Sequence, residues 1–141
     1  MTAVPRLTVT GDNEFFFEGC RRGELRIQKC GDCEALRHPP TPVCPHCRSA
    51  ERSHIVASGA ATLHSYTVVH HPKDDAFDYP LAVGLVDLPE GTRFVADIAG
   101  IDPENLTLGM RLRFTFTEHA HGEILPTLVP DTGIDQENTD D

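Results

Sequence analysis

Cys30-Gly-Asp-Cys-Glu-Ala-Leu-Arg-His-Pro-Pro-Thr-Pro-Val-Cys-Pro-His-Cys47 carries four of the chain's five cysteines as two C-x2-C pairs, ten residues apart. Two such pairs are the signature of a tetrahedral metal site. Each pair puts two thiolates on one side of a tight turn, and two facing turns complete four ligands. Gly31 offers the first turn a permissive backbone, and Pro45 presets φ in the second while removing an amide the turn does not use. The rival pattern, disulfides, belongs to secreted chains, and no secretory-type leader is visible here. Cys30, Cys33, Cys44 and Cys47 are therefore expected to hold zinc in a zinc ribbon.

Ligand number decides what that zinc can do. Four thiolates close the coordination sphere, so the metal is expected to be structural and not a Lewis acid. His46 lies between two ligands and could replace one, but the C-x2-C pair already forms a complete knuckle. Between the pairs, residues 35–43 are too rich in proline for a helix or a central strand and read as an extended loop.

Upstream, Asp12 or Asn13 can cap a helix over Glu14–Arg22, with Glu14 suiting its N-terminal dipole and Gly23 stopping it. Three consecutive phenylalanines, Phe15 to Phe17, cannot all face one small core from a helix. At least one must find another surface, either on the chain's own modules or on a partner. Phe15 and Phe16 are the candidates for a partner interface. Cys20 stands outside the paired spacing and reads as a small buried residue. Leu25–Lys29 alternates as a strand entering the first knuckle, and residues 49–58 return as another, with a module boundary near Gly59.

Beyond it the pattern is all β. Strands are expected over Thr62–His70, Leu81–Asp87, Arg93–Ile98, Arg111–Glu118 and Glu123–Val129. Gly84 suggests a bulge or bend, Leu88–Thr92 a tight hairpin, and Asp102-Pro103 a helical turn. Five strands with one interruption after the third match a small closed barrel of OB type. The fold class is thus mainly β: a short N-terminal helix and zinc ribbon (1–59), an OB-fold barrel (60–130) and an acidic, disordered tail (131–141).

The chain has 141 residues, 39% of them hydrophobic and none tryptophan, which suits a small core helped by metal. Its net charge of −10 is unevenly spread: +1 over residues 1–59, −6 over 60–130 and −5 over 131–141. A phosphate-binding face needs the opposite sign, so nucleic acid is an unfavoured partner. No apolar run is long enough to span a bilayer, and a soluble cytoplasmic protein is expected. His70 and His71 are adjacent, so a strand end would point them to opposite sides. His119 and His121 read as an exposed hairpin end, and Asp74, Asp75 and Asp78 as a solvated loop. No nucleophile motif, phosphate loop or dinucleotide fingerprint is present.

The runs Phe16–Cys30, Cys44–Cys47 and Gly59–His70 resemble the acyl-CoA-associated family of rubredoxin-like zinc ribbon plus OB-fold proteins, over about Asn13 to Pro130. All four cysteines match that family's pattern. The resemblance implies a non-catalytic accessory subunit that complexes with a thiolase-superfamily enzyme, either a lipid-transfer-protein-type retro-aldolase or a thiolase. It implies acyl-CoA at or near the interface, a two-plus-two heterotetramer, and a place in steroid side-chain degradation. Two other readings stay open: a stand-alone acyl-CoA-binding or channelling module, and, as the habit of many OB barrels, a single-stranded nucleic-acid binder.

Overall fold

The computed structural model describes residues 7–73, 77–118 and 122–131. Helix α1 (Glu14–Arg21) leads into a three-stranded antiparallel sheet of β1 (Arg26–Cys30), β2 (Leu36–Arg37) and β3 (Arg52–Val56), in the order β2-β1-β3. A closed barrel follows, built from β4 (Ala60–Val69), β5 (Leu81–Asp87), β6 (Arg93–Ile98), β7 (Arg111–Glu118) and β8 (Ile124–Pro130) in the order β4-β5-β6-β8-β7. Closure comes from two short seams. Ala60–Thr62 pairs antiparallel with β7, and Ile98 meets Leu128 in parallel.

The helix ends where the sequence says it should. Gly23 takes φ +73, a left-handed conformation that glycine adopts without penalty, and its amide donates to the Cys20 carbonyl. Asn13 occupies the N-cap but does not cap with its side chain. Its Oδ1 accepts from the Thr10 amide at 2.7 Å and its Nδ2 donates to the Thr8 carbonyl, so it ties down the preceding segment instead.

In the barrel, alternation does the sorting. On β5, Ala82 and Val86 point inward and are buried, against Phe94 and Ile98 on β6 and Leu63 on β4. Gly84 departs from expectation. The register through it is regular, and the shift lies on the facing strand between Leu63 and Ser65. A Cβ at residue 84 would come within 2.8 Å of Ile98 Cδ1 and 3.2 Å of Leu63 Cδ1, so the glycine makes room for core side chains. The hairpin at Leu88–Thr92 is as expected, with the Leu88 amide on the Thr92 carbonyl at 2.9 Å. Asp102 caps the short 3-10 turn Pro103–Asn105 by accepting from the Glu104 amide.

Ribbon and barrel share one hydrophobic core running from Phe16, Cys20, Leu25 and Ile27 through Ala57 to Leu63, Phe94, Leu112 and Leu128. The connection between them is pinned by backbone: the Ala57 amide donates to Leu25, and the Phe114 amide to Gly59. Glu90 on the β5–β6 hairpin accepts from the Ser58 amide at 3.0 Å. Among the described residues, no helix is long and apolar enough to cross a membrane.

Candidate metal centre

The two knuckles are built alike. β1 delivers Cys30 into the first, where the Glu34 amide donates to the Cys30 carbonyl. In the second, the Arg48 amide donates to the Cys44 carbonyl at 2.8 Å. Each turn is completed by a non-glycine residue with positive φ, Glu34 at 68° and Arg48 at 63°. Gly31 is not among the residues with positive φ, contrary to the sequence-based expectation of a conformational role. Instead a Cβ there would lie 3.0 Å from the Glu51 Cβ, because the Gly31 amide donates to the Glu51 carbonyl at 2.8 Å. The glycine is needed for close approach of the two knuckle segments.

The folding of these turns brings all four Sγ atoms within 4.8 Å of one another. Cys30 and Cys47 approach to 3.5 Å, and Cys33 and Cys44 to 3.6 Å. Tetrahedral zinc with Zn–S bonds of about 2.3 Å has S···S edges of about 3.8 Å, so the cluster fits the ion. The amides of Asp32 and Cys33 both point at Cys30 Sγ, at 3.4 Å. The Cys33 amide, then that of Asp32, lowers the Cys30 thiol to about 6, and the Cys47 amide lowers Cys44. Cys33 and Cys47 move the other way despite the Ala35 and Ser49 amides, because burial and the neighbouring sulfurs outweigh them. His46 stays outside the cluster, which among the described residues consists of the four cysteines alone. This is a rubredoxin-like zinc ribbon with a structural zinc site and no ligand position left for substrate.

Residues that spacing did not single out hold the proline-rich loop over the site. Gln28 is fully buried and bonds both ends of its amide to the Thr41 backbone, Nε2 to the carbonyl at 2.9 Å and Oε1 from the amide at 2.8 Å. Arg37, also buried, donates to the same carbonyl at 3.1 Å. Ser49 donates to Asp32, linking the knuckles. His38 then stacks face to face on Phe94 of the barrel, with centroids 4.1 Å apart. In the alternating strand Arg26–Cys30, where Arg26 and Lys29 are also polar, nothing in the sequence singled out Gln28 for this clasp.

The two candidate interface aromatics separate. Phe16 is only 8% exposed, between Phe17, His38 and Phe94, and so joins helix, loop and barrel. Phe15 is half-buried and stacks on exposed His54 at 5.6 Å. Cys20 is buried, and burial pushes its thiol up to about 11, the reverse of an activated nucleophile. His70, His71 and Asp78 are exposed, while Asp74, Asp75, His119, His121 and the tail from residue 132 lie outside the described residues. At the barrel rim a cavity of about 430 Å³ is lined by Tyr66, Val68, His70, Pro80, Asp102 and Glu104, a carboxylate-bearing wall that disfavours phosphates.

Two family models match the chain: the rubredoxin-like zinc ribbon domain of ChsH2 over residues 17–51, and its C-terminal OB-fold domain over residues 54–117. The chain is 41% identical over 126 residues to a probable enoyl-CoA hydratase alpha subunit of Thermomonospora curvata, covering 89% of this chain and 40% of that protein. It is 36% identical over 116 residues to the 3-oxo-4,17-pregnadiene-20-carboxyl-CoA hydratase alpha subunit of Mycobacterium tuberculosis, covering 82% of this chain and 37% of the other. The chain thus spans well under half the length of these two relatives. Among solved structures it superimposes on a chain of the Ltp2-ChsH2(DUF35) aldolase with a TM-score of 0.84 and 41% identity, covering 89% of this chain and 98% of that one.

Proposed function

The chain belongs to the ChsH2 (DUF35) family of zinc-ribbon and OB-fold proteins, and from that membership we propose that it is a non-catalytic accessory subunit of a thiolase-superfamily enzyme. The carrying observation is that its near full-length structural relative is a chain of a two-component aldolase, while its own metal site is closed by four thiolates. The partner would be a lipid-transfer-protein-type retro-aldolase or a thiolase, and would supply the reactive groups. This chain would supply surface that shapes the partner's acyl-CoA site. Its relation to a pregnadiene-carboxyl-CoA hydratase subunit supports a substrate with a steroid side chain. A two-plus-two heterotetramer in the cytoplasm, with the zinc ribbon ending and the barrel beginning near residue 59, completes the proposal.

A self-sufficient acyl-CoA carrier is disfavoured by the acidic barrel and by the carboxylates of its rim cavity. The test is co-expression with a thiolase-superfamily protein of the same organism, followed by size exclusion with light scattering. A complex with the mass of two copies of each chain is expected. Separate elution of the two chains would contradict the proposal.

A further inference from the structure

β5 is apolar on both faces. Its inward residues fill the barrel, but its outward residues Leu81, Val83 and Leu85 are also aliphatic. In an antiparallel strand the solvent face normally alternates to polar residues, so an aliphatic outer face stands out. Here α1 packs against β8 and β1, and the outer face of β5 remains only half-buried. The register places Val95 of β6 beside Leu85, and Val95 is 61% exposed.

Two concavities meet on this face. One, of about 210 Å³, is lined by Thr67, Val83, Leu85 and Val95. The other, of about 400 Å³, is lined by His38 and Pro39 of the ribbon loop together with Leu85, Arg93 and Val95. Sharing Leu85 and Val95, they form one groove that crosses from barrel to ribbon. It exists because His38 clasps the loop onto Phe94.

The charges around the groove say what fits it. At one end Arg93 is neutralised by Asp87, Nε to Oδ1 at 2.9 Å, and His64 approaches the other carboxylate oxygen at 3.3 Å. At the other end Asp97 stands across from Val83, with no hydrogen-bond or ion-pair partner for its carboxylate among the described residues. The rim is therefore acidic on balance. An anionic ligand such as a CoA nucleotide is repelled, whereas an apolar ridge flanked by a basic side chain is complementary.

We propose that this groove is the docking surface for the partner subunit, which seats an aliphatic or aromatic ridge on Leu85 and Val95 and sets a Lys or Arg against Asp97. This rests on the accessory-subunit reading and adds where the partner sits and with what chemistry. The test measures affinity for the co-expressed thiolase-superfamily protein by biolayer interferometry. Val95→Glu, exposed and so tolerated by the fold, is expected to weaken binding by at least about 100-fold, since a carboxylate would be buried against apolar surface. Asp97→Lys is expected to weaken it about tenfold, and most strongly at low salt. Leu108→Glu, on an exposed loop outside the groove, is expected to bind as the parent does. Zinc content and melting curves of each variant confirm the fold. A parent chain that binds together with a Val95→Glu variant of unchanged affinity would overturn the docking surface and leave the accessory role standing. A parent chain that does not bind would overturn both.

Discussion

His38 shows most clearly how one side chain sets a property of the whole molecule. Its ring stacks on Phe94 and lies tilted beside Phe16, and Nδ1 is buried without a hydrogen-bond partner among the described residues. Burial disfavours the cation and lowers its pKa from 6.5 to about 4. Because the folded value lies below the unfolded one, the stacked neutral ring stabilises the junction fully above pH 6.5. That contribution is lost as pH falls from 6.5 through 4. The NMR shift of the His38 ring proton should therefore keep its neutral value down to about pH 5. A titration midpoint near 6.5 would contradict the packing. Nothing in the sequence announces this role, since a histidine before Pro39-Pro40 looks like any loop residue. The same limit applies to the phenylalanines: a triplet tells that one ring must go elsewhere, not that Phe16 goes inward and Phe15 stays half out. Which ring is buried depends on the barrel surface that receives it.

At the scale of elements the sequence is far more legible, because hydrophobic period and turn chemistry are local. β5, β6 and β7 begin and end where alternation and the Leu88–Thr92 hairpin put them. The four ligands were legible because thiolate spacing is fixed by knuckle geometry. What escaped depends on contacts between segments distant in sequence. Gly31 and Gly84 are each required by a close neighbour, the Glu51 segment and Ile98, and not by their own φ. The short β2 forms because Leu36 and Arg37 lie along β1, in a stretch whose prolines predicted only loop. The knuckles themselves give a direct test. Replacing Cys44, buried and central to the ribbon, with serine should reduce bound zinc from one per chain to near zero by elemental analysis. Because ribbon and barrel share one core, the thermal melt should also fall by roughly 10 °C or more. Retention of stoichiometric zinc by Cys44→Ser would contradict the four-thiolate site.

On the scale of the whole molecule, ribbon and barrel form a single scaffold. Phe16, His38 and Phe94 bind helix, loop and barrel together, and Glu90 pins the connection at Ser58. Such a scaffold presents a composite surface of fixed shape, which suits the proposed role of completing another protein's site. Its charge accords with the proposed role: at net −10, with an acidic barrel segment, the chain on balance repels phosphate-rich ligands and attracts basic surfaces. In the proposed function, activity belongs to the pair. The measurement that tests it most directly is the rate of acyl-CoA thioester cleavage by the thiolase-superfamily protein alone, by this chain alone, and by the two mixed. Turnover only in the mixture, with this chain alone at background, is the predicted result. Turnover by this chain alone, or a partner fully active without it, would contradict the account.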